Sequence, residues 1–289
     1  MAISPQQLRD WPFKTREDSY GVRDSMLYAL GLGYGNDPCR EDEIPFVHED
    51  DTRAVPTLLA AMGAPGAWAT DPGTGIDWLR ILHGEHRMRF HRGVRASDTL
   101  RSRTRVTHVV DKGAGKGALV VTTRDISDAA TDDPVATVEH VSFCRSDGGF
   151  GPADEPLPAL PAVPGRAADM EVDLPTISQA ALLYRLNGDF NPIHALPAKA
   201  REAGFDRPIL HGLCTYGMAA RALIRACCEQ RPERLRYFAL RFSAPVFPGE
   251  TLSVQIWRDG PQVQFQARVR ERDVVVLSHG VAEIDEATA

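Results

Sequence analysis

The stretch "HGLCTYGMAARALIRACCEQ", residues 211–230, carries apolar side chains at helical spacing and has few charges near its start. Apolar residues three and four positions apart form one continuous face of an α-helix, which is normally packed against the core. This face consists of Leu213, Tyr216, Ala220, Leu223, Ile224 and Cys227. The sequence therefore predicts a buried helix that other elements must cover.

Three runs of alternating apolar and polar residues follow this helix. They are "PVFPGETLSVQIWRDG" (245–260), "PQVQFQARVRER" (261–272) and "DVVVLSHGVAEI" (273–284). The first half holds a matching set, "GVRASDTLRSRTRVTHVV" (93–110), "GALVVTTRDIS" (117–127) and "PVATVEHVSFC" (134–144). Such alternation is typical of antiparallel strands. Asp98-Thr99-Leu100 also matches Glu250-Thr251-Leu252, so we interpret the two halves as copies of one internal repeat.

A second helix candidate, "REDSYGVRDSMLYALGLG" (16–33), precedes the strands of the first half. An apolar helix followed by long antiparallel strands, twice over, predicts a sheet wrapped round a helix in each half. The predicted fold is therefore α+β, a double hotdog of two repeats. Layer packing alone would predict only a helix on an antiparallel sheet.

A proline-rich segment separates the halves. Residues 148–169 contain Pro152, Pro156, Pro158, Pro161 and Pro164. This density of proline excludes a helix interior or a central strand and predicts an extended linker. The expected organisation is an N-terminal hotdog over 1–147, the linker, and a C-terminal hotdog over 170–289.

Composition narrows the class of protein. The 289 residues are 43% hydrophobic and 25% charged, with a formal net charge of −6, which argues against a general nucleic-acid binder. No apolar run is long enough for a membrane span, and the start lacks the features of a signal peptide. The ending "EIDEATA" is not a peroxisomal address. Five cysteines without a metal-site spacing fit reduced thiols. A cytoplasmic protein is expected.

The stretch "YRLNGDFNPIH", residues 184–194, interrupts an apolar run with turn residues. Gly188 and Pro192 bracket a turn, which allows Asp189, Asn191 and His194 to converge. A carboxylate and an imidazole that share a water can remove or deliver a proton near neutral pH, and an amide can hold a polar ligand atom. The competing interpretation is an Asx-turn beside a surface histidine.

Gly212 stands at the predicted start of the buried helix. Backbone N–H groups there are free and lie at the positive end of the helix dipole, so they can stabilise a developing oxyanion. A glycine also lets a ligand carbonyl approach closely. Plain helix capping by glycine is equally compatible with the sequence.

Two further motifs are candidates for ligand or metal binding. "VVDKGAGKGALVV" (109–121) fails the phosphate-loop pattern, so it is a glycine-rich hairpin in which Lys112 or Lys116 can meet a ligand phosphate. "ILHGEHRMRFH" (81–91) contains His83, His86 and His91. On a regular strand His83 and His86 would point to opposite faces, which argues against a metal site. The nucleophile elbow G-x-S-x-G is absent from the sequence.

Taken together, these motifs resemble the hydratase 2 family, the MaoC-like (R)-specific 2-enoyl-CoA hydratases, including the hydratase portion of peroxisomal multifunctional enzymes. The family signature is similar to "YRLNGDFNPIH", and "HGEHRMRFHRGV", "VVDKGAGKGA", "ILHGLCTYG" and "RFSAPVFPGETL" extend the resemblance from about residue 19 to residue 284. The resemblance implies reversible hydration of trans-2-enoyl-CoA to (R)-3-hydroxyacyl-CoA.

The resemblance also implies roles for individual residues. Asp189 and His194 would be the acid/base pair, Asn191 would support the ligand, and the Gly212 N–H would polarise the thioester oxygen. The family's further acyl-CoA contacts fall on His83, Gly84, Lys112 and Phe242. Coenzyme A arrives as part of the substrate, and no metal or nicotinamide is needed.

The first half lacks the catalytic motif. When "YALGLG" (28–33) is laid on "YRLNGD" (184–189), Gly33 stands at the position of Asp189. We hypothesise that the N-terminal hotdog instead widened the acyl pocket for long or bulky chains. Acyl length and pathway stay open, with β-oxidation, polyester monomer supply and sterol breakdown as candidates.

Two other functions remain open at this point. One is a hotdog thioesterase that uses the same acid and oxyanion donor for hydrolysis. The other is a non-catalytic acyl-CoA-binding subunit, which would not need both Asp189 and His194. A homodimer is expected because exposed strand edges require cover.

Overall fold

The computed structural model describes residues 3–151 and 153–285; residues 1–2, Pro152 of the linker and residues 286–289 lie outside this range. The helices are α1 (Pro5–Arg9), α2 (Val22–Gly31), α3 (Ala180–Tyr184), α4 (Pro197–Glu202) and α5 (Gly212–Cys227). The strands of the first half are β1 (Arg16–Tyr20), β2 (Ile81–Phe90), β3 (Asp98–Asp111), β4 (Ala118–Asp128) and β5 (Pro134–Cys144). Those of the second half are β6 (Met170–Pro175), β7 (Leu235–Phe242), β8 (Thr251–Asp259), β9 (Gln262–Val269) and β10 (Val274–Ile284).

All ten strands form one sheet in the order β1-β3-β4-β5-β2-β7-β10-β9-β8-β6. The five strands on one side of the β2–β7 junction have the same order, counted from the junction, as the five on the other. β2 and β7 pair antiparallel, with Glu85 opposite Arg241 and Arg89 opposite Tyr237. This symmetry agrees with the internal repeat, and the fold is a double hotdog.

The long helix α5 is the centre of the second half. Most of its residues are buried, including Tyr216, Leu223 and Ile224 of the predicted apolar face. It packs against β6, β7, β8 and β10. The sheet therefore wraps round this helix, as the apolar spacing predicts.

The first half is built differently around its helix. The helix predicted over 16–33 begins only at Val22, because residues 16–20 form β1 and pair with β3. Gly21 ends the strand, and its N–H donates to the Asp24 carboxylate at 2.9 Å, which begins the helix. α2 has 10 residues against 16 in α5, and short 3₁₀ turns at Glu41–Phe46 and Pro56–Ala60 fill the adjoining space.

A buried ion pair joins the first of these turns, Glu41–Phe46, to α5. The Arg221 guanidinium donates to both carboxylate oxygens of Glu43, at 2.7 and 2.8 Å, and also to the Leu32 carbonyl oxygen at 3.1 Å. It lies 4.8 Å from the centre of the Tyr34 ring. Glu43 belongs to the first half and Arg221 to the second, so this pair connects the two halves inside the core.

The linker has no helix or strand in its described part. Its Asp154 carboxylate accepts hydrogen bonds from the Val109 N–H at 2.8 Å and from Arg9 at 2.6 Å. Further along, the Arg166 carbonyl accepts from the Trp257 indole at 2.9 Å. The segment is therefore anchored to strands of both halves. Among the described residues, no helix has both the length and the apolar character needed to cross a bilayer.

Candidate active site

The turn after α3 positions the polar residues of the second half. The helix continues as a 3₁₀ turn to Asn187 and ends at Gly188, whose φ of 109° favours glycine. The Asp189 carboxylate then accepts from the Asn191 N–H at 3.1 Å. The Asn191 side-chain oxygen accepts from the Ile193 N–H at 3.2 Å and begins the turn Pro192–His194. The Asx-turn interpretation is thus correct for the backbone.

The same turn brings acid/base groups together. One carboxylate oxygen of Asp189 and one ring nitrogen each of His194 and His211 lie within 4.8 Å of one another. The rings of His194 and His211 stack with centroids 3.7 Å apart. Asp189 is exposed and both histidines are buried. The convergence of Asp189 and His194 predicted from the turn is therefore observed.

Backbone carbonyls determine the tautomers of the two histidines. The His194 Nδ1 donates to the Ile209 carbonyl oxygen at 2.8 Å, because a carbonyl can only accept. The His211 Nε2 donates to the Asp189 carbonyl oxygen at 3.1 Å. In the neutral rings, the His194 Nε2 and the His211 Nδ1 are consequently unprotonated and can accept a proton.

Burial keeps both rings neutral at pH 7. It lowers the pKa of His194 below the usual 6.5, against opposing effects of the Ile209 carbonyl and the Asp189 charge. Burial also lowers the pKa of His211 to about 4, and the neighbouring His194 acts in the same direction. A neutral imidazole beside a carboxylate can accept a proton from water.

Gly212 is the first residue of α5, where backbone N–H groups have no partner within the helix. A Cβ atom built on it would lie 3.3 Å from the ring of Phe242, the last residue of β7. The ring of His83 lies 4.4 Å from that of Phe242, centroid to centroid. The start of α5 therefore faces a residue from the first half across the β2–β7 junction.

The prediction that His83 and His86 point to opposite faces is wrong. A β-bulge interrupts the pairing of β2 with β5 between His83 and Glu85, so two residues of β2 face one position of its partner. The His86 Nδ1 and the His83 Nε2 lie 3.2 Å apart as a result. Gly84 occupies the bulge, where a Cβ would lie 3.2 Å from the Val141 carbonyl oxygen.

Lys112 lies in the hairpin between β3 and β4. Its ammonium is 5.0 Å from the centre of the Phe143 ring. The Cβ of Phe143 lies 3.9 Å from a Cβ built on Gly84, so Lys112 is one side chain away from the bulge. The Lys112 ammonium therefore lies at the same end of the sheet as His83.

Sequence reasoning missed His211 beside Asp189 and His194, and it missed His140 of β5 beside His83 and His86. The signal for His211 was its position directly before Gly212, at the start of a buried helix. For His140 no such signal existed, since only the β2–β5 register places it opposite His86.

Comparisons with known proteins find relatives of both halves of the chain. Residues 19–146 match the MFE-2 hydratase 2 N-terminal domain, and residues 160–279 match the MaoC like domain. The chain is 36% identical to enoyl-CoA hydratase ChsH3 of Mycobacterium tuberculosis over 272 residues, which are 92% of this chain and 93% of that protein. It belongs to the MaoC-like hydratase family.

Two further similarities support this membership. The chain is 38% identical over 271 residues to 3-hydroxyacyl-thioester dehydratase Y of the same bacterium, covering 90% of this chain and 91% of that protein. The crystal structure of a MaoC-like dehydratase from Phytophthora capsici superposes with a TM-score of 0.89 at 31% identity, over 99% of both chains. The similarity thus extends over both halves of the chain.

Proposed function

We propose that this MaoC-like protein catalyses the reversible hydration of trans-2-enoyl-CoA to (R)-3-hydroxyacyl-CoA. The observation that carries the proposal is the convergence of Asp189 and His194 near the start of α5, in a chain of this family. The R configuration follows from the resemblance of the motif to hydratase 2. The same site run in reverse is a 3-hydroxyacyl-CoA dehydratase.

The proposed chemistry uses groups already in place. Adding water to an enoyl thioester builds enolate charge on the thioester oxygen, and the Gly212 N–H at the helix start would stabilise it. The water must lose one proton and the α-carbon must gain one. Asp189 and the unprotonated His194 Nε2 together would manage these transfers.

The remaining site residues are proposed to bind the substrate. Asn191 would support the ligand, while His83, Gly84, Lys112 and Phe242 would contact the acyl-CoA. Lys112 can meet a coenzyme A phosphate as a point charge. We further propose that coenzyme A arrives with the substrate and that the hydration needs no metal or nicotinamide.

The test follows the loss of enoyl-thioester absorbance from crotonyl-CoA and from a ten-carbon trans-2-enoyl-CoA. Asp189→Asn and His194→Gln should each lower kcat by about 10²-fold or more, as expected for loss of an acid/base group. His91→Gln, at an exposed histidine bonded to Thr137, is the control and should keep the wild-type rate. Release of free thiol would instead support the thioesterase alternative.

We also propose that the N-terminal hotdog serves the acyl chain. This half lacks the acid/base motif, and α2 is shorter than α5. A preference for the ten-carbon substrate over crotonyl-CoA is expected. Equal turnover of the two would contradict a widened pocket.

A homodimer is proposed from the surface beside the site. Leu182, Leu186, Phe190 and Leu196 are each more than half exposed, and such apolar patches often mark interfaces. Light scattering should give twice the chain mass, and Leu186→Asp should reduce it. Leu79→Asp, at an exposed leucine elsewhere, is the matched control.

A cytoplasmic role in fatty-acid β-oxidation is proposed for the wild-type protein. The five cysteines are free, which suits a reducing compartment. Localisation of the tagged chain, and growth on fatty acids after deletion, would test the two parts separately.

A further inference from the structure

A cluster of three histidines lies in the first half of the sheet, beside the proposed acyl-CoA site. His83 and His86 belong to β2 and His140 belongs to β5, where it pairs with His86. One ring nitrogen from each lies within 4.8 Å of the others. The acid/base chemistry proposed above does not use His86 or His140.

Two of these nitrogens already have the spacing of metal ligands. In a tetrahedral zinc site with Zn–N distances of about 2.0–2.1 Å, neighbouring nitrogens lie about 3.3 Å apart. The His83 Nε2 and the His86 Nδ1 are 3.2 Å apart. The bulge at Gly84 produces this spacing by turning both side chains to one side of the strand.

The third ligand requires the His140 ring to rotate. The His140 ring stacks on the His83 ring with centroids 3.9 Å apart and an interplanar angle of 27°. Rotation about the last side-chain bond of His140, a broad torsion, would turn its nitrogen toward the other two. His83 and His140 are partly exposed, so solvent reaches part of the cluster.

The surroundings favour neutral rings. Burial is the largest effect that lowers the pKa of all three, and for His140 the value falls to about 4. The ring of Tyr216 on α5 covers His86 at 4.8 Å, and His86 Nε2 is buried without a hydrogen-bond partner among the described residues. The Arg124 charge acts on His86 and His140 and opposes a cation, so we expect reversible rather than permanent binding.

We propose that His83, His86 and His140 form a binding site for a divalent transition-metal ion of the zinc class, with one coordination position open. Histidine nitrogens are the ligands that Zn²⁺, Co²⁺ and Ni²⁺ prefer in such sites. His83 packs against Phe242, and both are proposed to contact acyl-CoA. An ion bound to His83 would therefore prevent acyl-CoA from binding. This second consequence rests on the proposed function, whereas metal binding does not.

The binding test is a Co²⁺ titration of the chelator-treated full-length protein, followed by visible absorbance. One Co²⁺ per chain is expected, with at least tenfold weaker binding in His86→Asn and in His140→Asn. His194→Gln removes a member of the other cluster of possible ligands, and His91→Asn removes an exposed histidine; both should bind as wild type. Thermal unfolding of each variant checks that it is folded.

Two outcomes overturn the metal site. One is the absence of a Co²⁺ spectrum in folded wild-type protein. The other is binding that survives in His140→Asn but is lost in His194→Gln, which would place the ion at the proposed catalytic residues instead. Neither outcome depends on turnover, so a failure of the proposed hydratase activity is distinguishable.

Inhibition is tested separately with Zn²⁺ in the hydratase assay. Competitive inhibition is expected in the wild type, with release by a chelator. His140→Asn, compared with its own metal-free rate, should require at least tenfold more Zn²⁺ for the same inhibition. Equal sensitivity of the two proteins would overturn the proposed link between the cluster and acyl-CoA.

Discussion

At the scale of single residues, His211 holds the proposed acid/base pair in position. Its ring stacks on His194, and its Nε2 holds the backbone carbonyl of Asp189. His211→Phe keeps the stacking and loses the hydrogen bond, whose net contribution is about 1 kcal/mol. We expect kcat to fall about tenfold with little change in KM, since the geometry of Asp189 is loosened.

The readouts for this variant separate positioning from simple unfolding. Steady-state kinetics give kcat and KM, and thermal melting gives the stability. His211→Phe with wild-type kcat would show that the stacked ring alone suffices. A rise in KM at constant kcat would instead assign His211 to substrate binding.

The pH dependence follows from the neutral histidines of the site. The pKa of His194 is lowered below 6.5, so the acidic limb of kcat/KM should have its midpoint below 6.5. A profile recorded with crotonyl-CoA across the acidic range measures this midpoint. A midpoint above 6.5 would contradict the proposed burial of the base.

Folding stability should also depend on pH between about 4 and 6.5. The unfolded chain binds protons at ordinary histidine pKa values near 6.5, whereas folded His211 has a pKa of about 4. Between these values the unfolded state binds more protons than the folded state. The free energy of unfolding therefore decreases as the pH falls below 6.5 and keeps its full value above 6.5. Urea unfolding at several pH values checks the sign, and His211→Phe should weaken the dependence.

At the residue scale, prediction from sequence succeeded where the arrangement depends only on residues close together in the chain. The turn residues around Asp189 predicted its convergence with His194, because glycine and proline constrain the backbone within a few positions. The relation between His83 and His86 was predicted wrongly, since a bulge depends on the partner strand and not on the strand's own alternation.

At the scale of elements, the start of α5 is the sensitive point. Gly212→Ala places a Cβ 3.3 Å from the Phe242 ring, so the ring must move by a few tenths of an ångström. Alanine also favours the helix by up to about 1 kcal/mol, which offsets the contact. We expect kcat/KM to fall about tenfold while the unfolding free energy stays nearly constant.

A matched glycine provides the control for this substitution. Gly165 in the linker has open space around a built Cβ, so Gly165→Ala should leave both kinetics and stability unchanged. Loss of stability in Gly212→Ala without loss of kcat/KM would contradict the importance of close approach at this helix start.

Helix positions show what pattern alone can establish for elements. The apolar face of α5 predicted its burial, and all of its members except the half-buried Leu213 are buried. The helix predicted over 16–33 was too long at its start, since residues 16–20 are recruited into β1 by pairing with β3. Pairing across the chain overrode the local helical spacing there.

At the scale of the whole molecule, the ion pair of Arg221 and Glu43 joins the halves. Arg221→Met leaves the buried Glu43 carboxylate without its partner, which should cost about 3–5 kcal/mol of unfolding free energy. Adding Glu43→Leu to this variant should recover part of the loss. Urea unfolding of the single and double variants measures both effects.

An exposed ion pair between the halves provides the comparison. Arg89 on β2 contacts Glu283 on β10 at 2.9 Å, with both side chains substantially exposed. Arg89→Met should cost no more than about 1 kcal/mol. Equal losses of unfolding free energy in Arg89→Met and Arg221→Met would show that burial does not decide how much each ion pair stabilises the protein.

The repeat predicted the overall architecture better than it predicted how the halves meet. Matching strand runs were enough for a double hotdog. Neither the β2–β7 junction nor the Arg221 pair has a local signal, because both join residues far apart in sequence.

The anchored linker has a consequence for how the site assembles. His83 comes from one half and Gly212 from the other, and the linker keeps both on one chain. Their pairing is therefore intramolecular, and its effective local concentration does not depend on how much protein is present. A substitution that weakens the β2–β7 junction will appear as easier unfolding, and dilution alone will not separate the two halves of the site.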